Sequence, residues 1–309
     1  MIINQDRKNI WRYSHYYSPA IEERFRLTLQ EGWTKTESFN GLILKREDQN
    51  PTGSIKDRGV AYQISLALKR KKKFLALSSS GNAAISAAAY CQKAKISLFI
   101  FLSKKISPKK LDAIKKYQPH QIIFSQNPLK ACRLFCQKTK IDDIRPSTDP
   151  IAPEGFKSLA LEIHETFGPV DSIFIPVSSG ATFIGIAKGY RLLDYFPKLY
   201  AIQTTTHHPI ARLFHPKFKK EKKSLATAIC LKKTPRKKEI IKFLKKSKGS
   251  GLIISNKQIK KAKMQLLSKK IFTSAEGCAC FAAARNYRSQ RRPSLKIICL
   301  MTGKKYDNF

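Results

Sequence analysis

Short apolar runs alternate with amphipathic stretches through the first half of the chain. The apolar runs have the length of strands, and the stretches between them space their apolar residues as a helix does. This alternation predicts an α/β fold with a mostly parallel sheet. The predicted strands are 74–77, 95–102 and 121–124, and the predicted helices are 83–93, 107–117 and 128–138.

The second half of the chain repeats this alternation, without an internal repeat or a low-complexity linker. Residues 1–41 precede both halves and read as an N-terminal arm with a helix at 21–31. Ser255 is a suitable N-cap for the helix that follows it. The strands predicted in this half are 171–177, 199–203 and 295–301, and the helices are 155–167, 182–193, 240–246, 256–267 and 274–288.

The length of 309 residues and the 42% hydrophobic content predict a globular protein of one large or two medium domains. The longest apolar run, 96–102, is too short to span a bilayer. Seven cysteines without framework spacing, and a start without a signal-peptide pattern, predict reduced thiols and a cytoplasmic protein. Neither the cysteines nor the six histidines have the spacing of metal ligands, so no metal site is predicted.

The formal net charge of +39 predicts attraction to nucleic acid, but only of a non-specific kind. The basic residues are spread along the chain rather than gathered in a tail, and they are densest at 217–248. A solvated surface or compositional drift explains this distribution more simply than a selected polyanion-binding role.

One lysine lies at a turn that contains proline and glycine and leads into a helix. The stretch is Asn50-Pro51-Thr52-Gly53-Ser54-Ile55-Lys56-Asp57-Arg58-Gly59, and an amphipathic helix follows it at 60–68. A lysine near a helix N-terminus has its pKa lowered by the positive end of the helix dipole. A lysine of that kind suits covalent chemistry with a carbonyl compound. The plainer interpretation is a solvated surface lysine, and this stretch alone leaves both open.

Two turns join a strand to a helix and are rich in small residues. Ser78-Ser79-Ser80-Gly81-Asn82 can hold an anion through backbone N–H groups, although a hydroxyl-rich N-cap is the simpler interpretation of this stretch alone. Pro176-Val177-Ser178-Ser179-Gly180-Ala181-Thr182 has the same construction and suits a phosphate, although a plain turn is the alternative. At the other end of the chain, Cys299-Leu300-Met301-Thr302-Gly303 ends a strand in a hydroxyl beside glycine.

Together these stretches resemble the fold-type II pyridoxal-phosphate enzymes, the tryptophan synthase β-subunit superfamily. The Lys-Asp-Arg-Gly ending of the lysine motif is most similar to threonine synthases, and the resemblance runs from about residue 42 to residue 303. It implies two three-layer α/β domains facing across a cofactor cleft. The implied domains are 1–58 with 148–309, which would hold the cofactor and receive the N-terminal arm, and a smaller domain at 59–147.

The resemblance also implies roles for individual residues. Lys56 would bind pyridoxal 5'-phosphate covalently and act as the catalytic base. Asn82 and Thr302 would contact the cofactor ring, and the second turn would hold its phosphate through Ser178, Ser179, Gly180, Ala181 and Thr182. Ser79, Ser80 and Gly81 would bind the substrate carboxylate, and Arg58 would help to bind a substrate phosphate.

The first hypothesis is therefore a threonine synthase-like lyase that converts O-phospho-L-homoserine and water to L-threonine and phosphate. A threonine/serine dehydratase or a cysteine-synthase-like β-replacement enzyme is the alternative with the same cofactor. Asp57 with Arg58 argues against the former, and Thr52 argues against the latter. A basic nucleic-acid-binding protein on a retired enzyme fold is the alternative from another class. The resemblance implies an amino-acid substrate and a homodimer.

Overall fold

The computed structural model describes residues 1–79, 81–291 and 294–304. The chain alternates strands and helices, so the predicted α/β class is confirmed. The helices are α1 (Lys56–Lys69), α2 (Asn82–Ala94), α3 (Pro108–Lys115), α4 (Pro128–Thr139), α5 (Lys157–Phe167), α6 (Ala181–Tyr190), α7 (Lys237–Lys246), α8 (Asn256–Leu267) and α9 (Ala275–Arg288). The strands are β1 (Thr36–Phe39), β2 (Leu42–Lys45), β3 (Phe74–Ser78), β4 (Ser97–Leu102), β5 (Gln121–Phe124), β6 (Asp142–Asp143), β7 (Ser172–Pro176), β8 (Lys198–Thr204), β9 (Ser250–Ile254) and β10 (Ile297–Leu300).

The chain divides into two compact units. Unit 1 comprises Met1–Trp33 and Asn50–Ser158. Its sheet has the order β5-β4-β3-β6, and all of its strand pairs are parallel. Helix α1 packs against α2, and α4 covers β3 and β4 around the buried residues Ala76, Phe101 and Cys132.

Unit 2 comprises Thr34–Gln49 and Leu159–Phe309. Its sheet has the order β1-β2-β10-β7-β8-β9, and only the β1–β2 pair among its described strands is antiparallel. Every residue of β7 is buried, as expected for a strand covered on both faces. Because β10, β7 and β8 are parallel neighbours, their carboxyl ends lie at one edge of the sheet.

The N-terminal arm packs within unit 1. Trp11 and Tyr17 contact the ring of Tyr62 on α1, and the Tyr62 hydroxyl donates to the carbonyl of Pro19 at 2.6 Å. The predicted division into 1–58 with 148–309 and 59–147 draws different boundaries, and as a description of functional domains it stays a prediction. None of the described helices is long and apolar enough to cross a membrane.

The helix predicted at 21–31 is wrong. Only a short 3-10 turn, Glu23–Phe25, forms in that segment. Side chains take the backbone N–H groups that a helix would use: Leu27 donates to Ser65 Oγ at 2.9 Å, and Leu29 donates to Glu31 Oε2 at 2.9 Å. Such bonds compete with helical ones. The N-cap predicted at Ser255 is confirmed, and it forms a capping box with Gln258.

Glu31 is a fully buried carboxyl group at the end of the arm. Its Oε2 accepts hydrogen bonds from the Tyr90 hydroxyl at 2.6 Å and from Thr28 Oγ1 at 3.0 Å. Burial raises the pKa of this carboxyl group from 4.5 to about 7, although the hydrogen bonds act in the opposite direction. Folding therefore favours its protonated form.

We expect Glu31→Gln to remove a pH-dependent component of stability. Because the folded pKa lies above the unfolded one, the component is fully present below pH 4.5 and is lost as the pH rises through about 7. Its size is at most about 3 kcal/mol. Urea unfolding at pH 5 and pH 8 measures it, with Glu22→Gln as a control of equal charge, since Glu22 is exposed and its pKa is lowered, chiefly by a backbone hydrogen bond. An unchanged difference between the two pH values in Glu31→Gln would contradict the assignment.

Candidate active site

Lys56 lies at the first residue of α1 in unit 1. Helix α1 thus begins one turn before the predicted start at Val60. The turn before it is closed by a hydrogen bond from Gly53 N to Asn50 O at 2.7 Å, and Gly53 has a φ of 85°, which glycine adopts readily. The lysine is therefore presented by a defined turn and not by a mobile surface segment.

Asp57 fixes this turn from inside unit 1. It is fully buried, and its carboxylate accepts from Thr52 N at 2.7 Å and from Thr52 Oγ1 at 2.5 Å. It also accepts from Ser86 Oγ on α2 at 2.6 Å. The residue beside Lys56 thus ties the lysine turn to a second helix.

The side chain of Lys56 is half-buried, and its Nζ lies 5.7 Å from the ring centroid of Phe156. Phe156 is fully buried, so the ring is a fixed surface for the lysine.

The small-residue turn after β3 lies in the same unit. Gly81 is the N-cap of α2, and its N–H donates to Ser79 Oγ at 3.4 Å. Asn82 begins α2 and is four residues before Ser86, so both are on the helix face that Asp57 contacts. The structure therefore brings the Lys56 turn and the start of α2 together, whereas Ser80 lies outside the described residues.

Arg58 lies inside unit 1. Its side chain is fully buried, and its NH1 donates to Ser158 Oγ at 3.1 Å. The structure thus shows Arg58 joining α1 to the start of α5, and its substrate-binding role stays a prediction.

The second turn, after β7, lies in unit 2. Gly180 has a φ of 95° and is the N-cap of α6, which no side-chain oxygen caps within the described part of the chain. A Cβ on Gly180 would come 2.5 Å from Ile240 Cδ1. Ser178 and Ser179 are half-buried, and the Ser178 carbonyl accepts from Thr234 Oγ1 at 3.0 Å. Backbone N–H groups at a helix N-terminus of this kind suit an anion.

Thr302 follows β10 at the same edge of this sheet. The backbone around it is fixed, because Met301 N donates to Lys45 O at 2.9 Å and Ser274 N donates to Gly303 O at 2.8 Å. The register Cys299↔Phe174 places Thr302 beside the end of β7, and its side chain is half-buried. The structure thus brings Thr302 and the Ser178–Thr182 turn together within unit 2.

A known enzyme family accounts for this set of turns and strand ends. The family described as "Pyridoxal-phosphate dependent enzyme" matches residues 27–303, which is most of the chain. The chain belongs to this family. Its cofactor is pyridoxal 5'-phosphate, as the sequence predicted.

Among named relatives, threonine synthases recur. Threonine synthase of Methanocaldococcus jannaschii is 26% identical, over 95% of this chain and 79% of that protein. The threonine synthase of Halalkalibacterium halodurans is also 26% identical, over 93% of this chain and 86% of that protein. The predicted resemblance is therefore confirmed at the level of the family.

Solved structures share the fold. A pyridoxal 5'-phosphate-dependent aspartate racemase superposes with a TM-score of 0.76 at 21% identity, over 87% of this chain and 86% of that chain. Threonine deaminase isoform 2 from Solanum lycopersicum gives a TM-score of 0.76 at 18% identity, over 87% of this chain and 76% of that chain. The predicted fold-type II architecture is confirmed, and these structures speak for the fold alone.

The residues of this pyridoxal-phosphate enzyme fit the cofactor. A phosphate suits the start of α6, where Gly180 adds no Cβ to the turn and the hydroxyls of Ser178 and Ser179 can donate. A lysine at the start of α1 can supply the amine that holds the pyridoxal group. The roles of the individual residues toward cofactor and substrate stay predictions.

We expect Gly180→Ala to weaken cofactor binding on the order of tenfold or more, since each lost charge-assisted hydrogen bond costs about 1.5–3 kcal/mol. The new Cβ would press on Ile240 and strain a left-handed residue, which moves the N–H groups of the turn. Absorbance titration with pyridoxal phosphate measures the affinity. Gly168→Ala is the matched control, because Gly168 also has a positive φ of 65° but has open space around it. Equal affinities in the two variants would contradict a phosphate-binding turn.

Proposed function

We propose that the protein is a threonine synthase-like lyase, which converts O-phospho-L-homoserine and water to L-threonine and phosphate. The observation that carries the proposal is the match to threonine synthases over nearly the whole chain, together with the Lys-Asp-Arg-Gly motif at the start of α1. The reaction is proposed from the threonine synthase relatives. The amine of Lys56, which the ordered turn presents, would carry out the proton transfers.

When bound, pyridoxal phosphate supplies an electron sink that acidifies the α-hydrogen of an amino-acid substrate. Lys56 Nζ would hold the cofactor, take the α-proton as a base and move a proton at the β-carbon. The start of α2, with Ser79, Ser80, Gly81 and Asn82, would orient the substrate carboxylate and the cofactor ring. Asp57 would keep Lys56 in register with α2 through Thr52 and Ser86.

In unit 2, the Ser178–Thr182 turn would bind the cofactor phosphate through the N–H groups of α6. Thr302 would offer a neutral hydroxyl to the pyridine nitrogen. A neutral partner leaves that nitrogen largely unprotonated, which favours elimination and replacement over transamination.

The experiment is a visible absorption spectrum of the cofactor-loaded protein before and after addition of O-phospho-L-homoserine, with phosphate release followed in parallel. We expect the cofactor band to shift and phosphate and L-threonine to appear in equal amounts. An absorption band that does not change with O-phospho-L-homoserine but shifts with L-serine or L-threonine would overturn the proposal in favour of a dehydratase.

We further propose a cytoplasmic homodimer that contacts nucleic acid only non-specifically. The location is supported by the seven cysteines, all of them free thiols. Sedimentation at low and high salt, with and without duplex DNA, tests the assembly and the non-specific contact together.

A further inference from the structure

A cavity of about 440 Å³ lies in the long loop after β8 in unit 2. No acidic residue lines it within the described part of the chain, and the other lining residues are threonine, proline and phenylalanine. We call it the basic pocket, because five basic side chains line it: His207, His208, Arg212, Lys220 and Lys232.

The positive charges of the basic pocket act on one another. The pKa of His208 is lowered by burial, and further by the charges of Arg212, His207 and Lys220. The ring is fixed, since its Nδ1 lies 2.9 Å from Thr204 O and its centroid lies 4.0 Å from that of Phe218. The pocket therefore holds like charges close together around an ordered imidazole. A bound anion would reduce the electrostatic repulsion between them.

The acidic residue nearest in the loop is held outside the pocket. Glu221 accepts hydrogen bonds from Thr205 Oγ1 and from Asn256 N at the start of α8. It does not line the cavity.

Thr206 is a second, independent sign of a missing ligand. It lines the cavity, and it is only 8% exposed. Its Oγ1 is buried without a hydrogen-bond partner among the described residues. A buried hydroxyl without a partner costs free energy, and a bound anion would supply the acceptor.

The basic pocket adjoins the turn that suits the cofactor phosphate. Strands β7 and β8 are parallel neighbours, and the register Pro176↔Ile202 brings Ser178 opposite Thr204. At the other end of the loop, Thr234 donates to the Ser178 carbonyl, two residues after Lys232. The pocket therefore begins one strand away from the Ser178–Thr182 turn.

We propose that the basic pocket binds the phosphate group of a phosphorylated ligand other than the cofactor. Arg212 and Lys232 would neutralise the phosphate, and Thr206 would donate to one of its oxygens. The inference rests on the proposed function to this extent: O-phospho-L-homoserine carries such a group, and the reaction releases inorganic phosphate. A separate phosphorylated ligand has the same chemistry, and the kinetics below distinguish the two sources.

The first test is calorimetric titration of the cofactor-loaded protein with inorganic phosphate in a phosphate-free buffer. We expect Arg212→Gln with Lys232→Gln to weaken binding on the order of tenfold or more, since charge-assisted hydrogen bonds are lost. The matched control is Lys260→Gln with Lys261→Gln, which removes the same two charges from exposed positions of α8. Binding that falls equally in both pairs, or in neither, would overturn the proposal.

The second test leaves the net charge unchanged. Thr206→Val removes the hydroxyl and keeps the shape, whereas Thr206→Ser keeps the hydroxyl. We expect weaker phosphate binding in the valine variant and recovery in the serine variant. Equal binding in the two variants would overturn the role of this hydroxyl.

Steady-state kinetics identify the source of the phosphate group. If it belongs to the substrate, Arg212→Gln with Lys232→Gln raises KM for O-phospho-L-homoserine and leaves kcat near its original value. An unchanged KM beside lost phosphate binding supports the pocket and assigns it to a separate ligand. Absence of turnover by the unaltered protein would refute the proposed function and leave the calorimetric result standing.

Discussion

Replacing Lys56 with alanine is expected to abolish the visible band of the lysine-bound cofactor and to stop phosphate release from O-phospho-L-homoserine. The amine at the start of α1 would both hold the cofactor and carry protons, and no neighbouring residue in the turn offers a second amine. Loss of the acid–base function alone lowers a rate by about 10²–10⁴-fold. Loss of the covalent bond acts in addition, so turnover should fall below detection.

Two controls separate this effect from a folding defect. Lys56→Arg keeps a positive charge near the Phe156 ring but cannot form the covalent bond, so it should lose the band as completely. Lys69→Ala changes a lysine at the far end of the same helix and should keep both the band and the rate. A normal band in Lys56→Ala would mean that another amine holds the cofactor.

The regular α/β part of the fold could be predicted, because its signals are local. The strand at Gln121–Phe124 and the helix Asn256–Leu267 were predicted at their observed bounds, since each is defined by a short apolar pattern with clear ends. The arm was misread because its backbone is held by distant groups such as Ser65 Oγ. A contact with a residue so distant in sequence cannot be predicted from the local pattern of apolar and polar residues.

In the candidate site, too, the local features could be predicted from the sequence and the long-range contacts could not. The lysine turn and the two small-residue turns are contiguous stretches, and the sequence located all of them. The contact between Asp57 and Ser86 spans 29 residues, and only the folded chain brings the two together. The motif places a guanidinium near the lysine, but it does not predict the burial of Arg58 against Ser158, because that residue lies 100 positions away.

The second large effect concerns a buried ion pair that supports unit 2. Lys45 Nζ on β2 lies 2.5 Å from Glu162 Oε1 on α5, and the two side chains are 4% and 2% exposed. Strand β2 pairs with β10, and Thr302 lies two residues after the end of β10. Breaking this pair would leave a buried carboxylate without its ammonium partner beside the strand that leads to Thr302.

We therefore expect Lys45→Met to destabilise the protein by about 3–5 kcal/mol, the usual cost of removing one partner of a buried pair. The double variant with Glu162→Leu should recover most of that loss, because well-packed apolar side chains often replace such pairs without cost. Urea unfolding of the cofactor-loaded protein measures both.

The matched control for the buried pair is Lys35→Met. Lys35 pairs with Glu37 at 3.4 Å, but its side chain is 65% exposed, so the change should cost about 1 kcal/mol or less. A loss in Lys45→Met as small as that of the control would mean that the pair contributes little to unit 2. A loss that Glu162→Leu does not reverse would place the effect in the packing of the lysine stem. Recovery in the double variant therefore distinguishes charge burial from packing as the reason that this lysine sits inside the sheet.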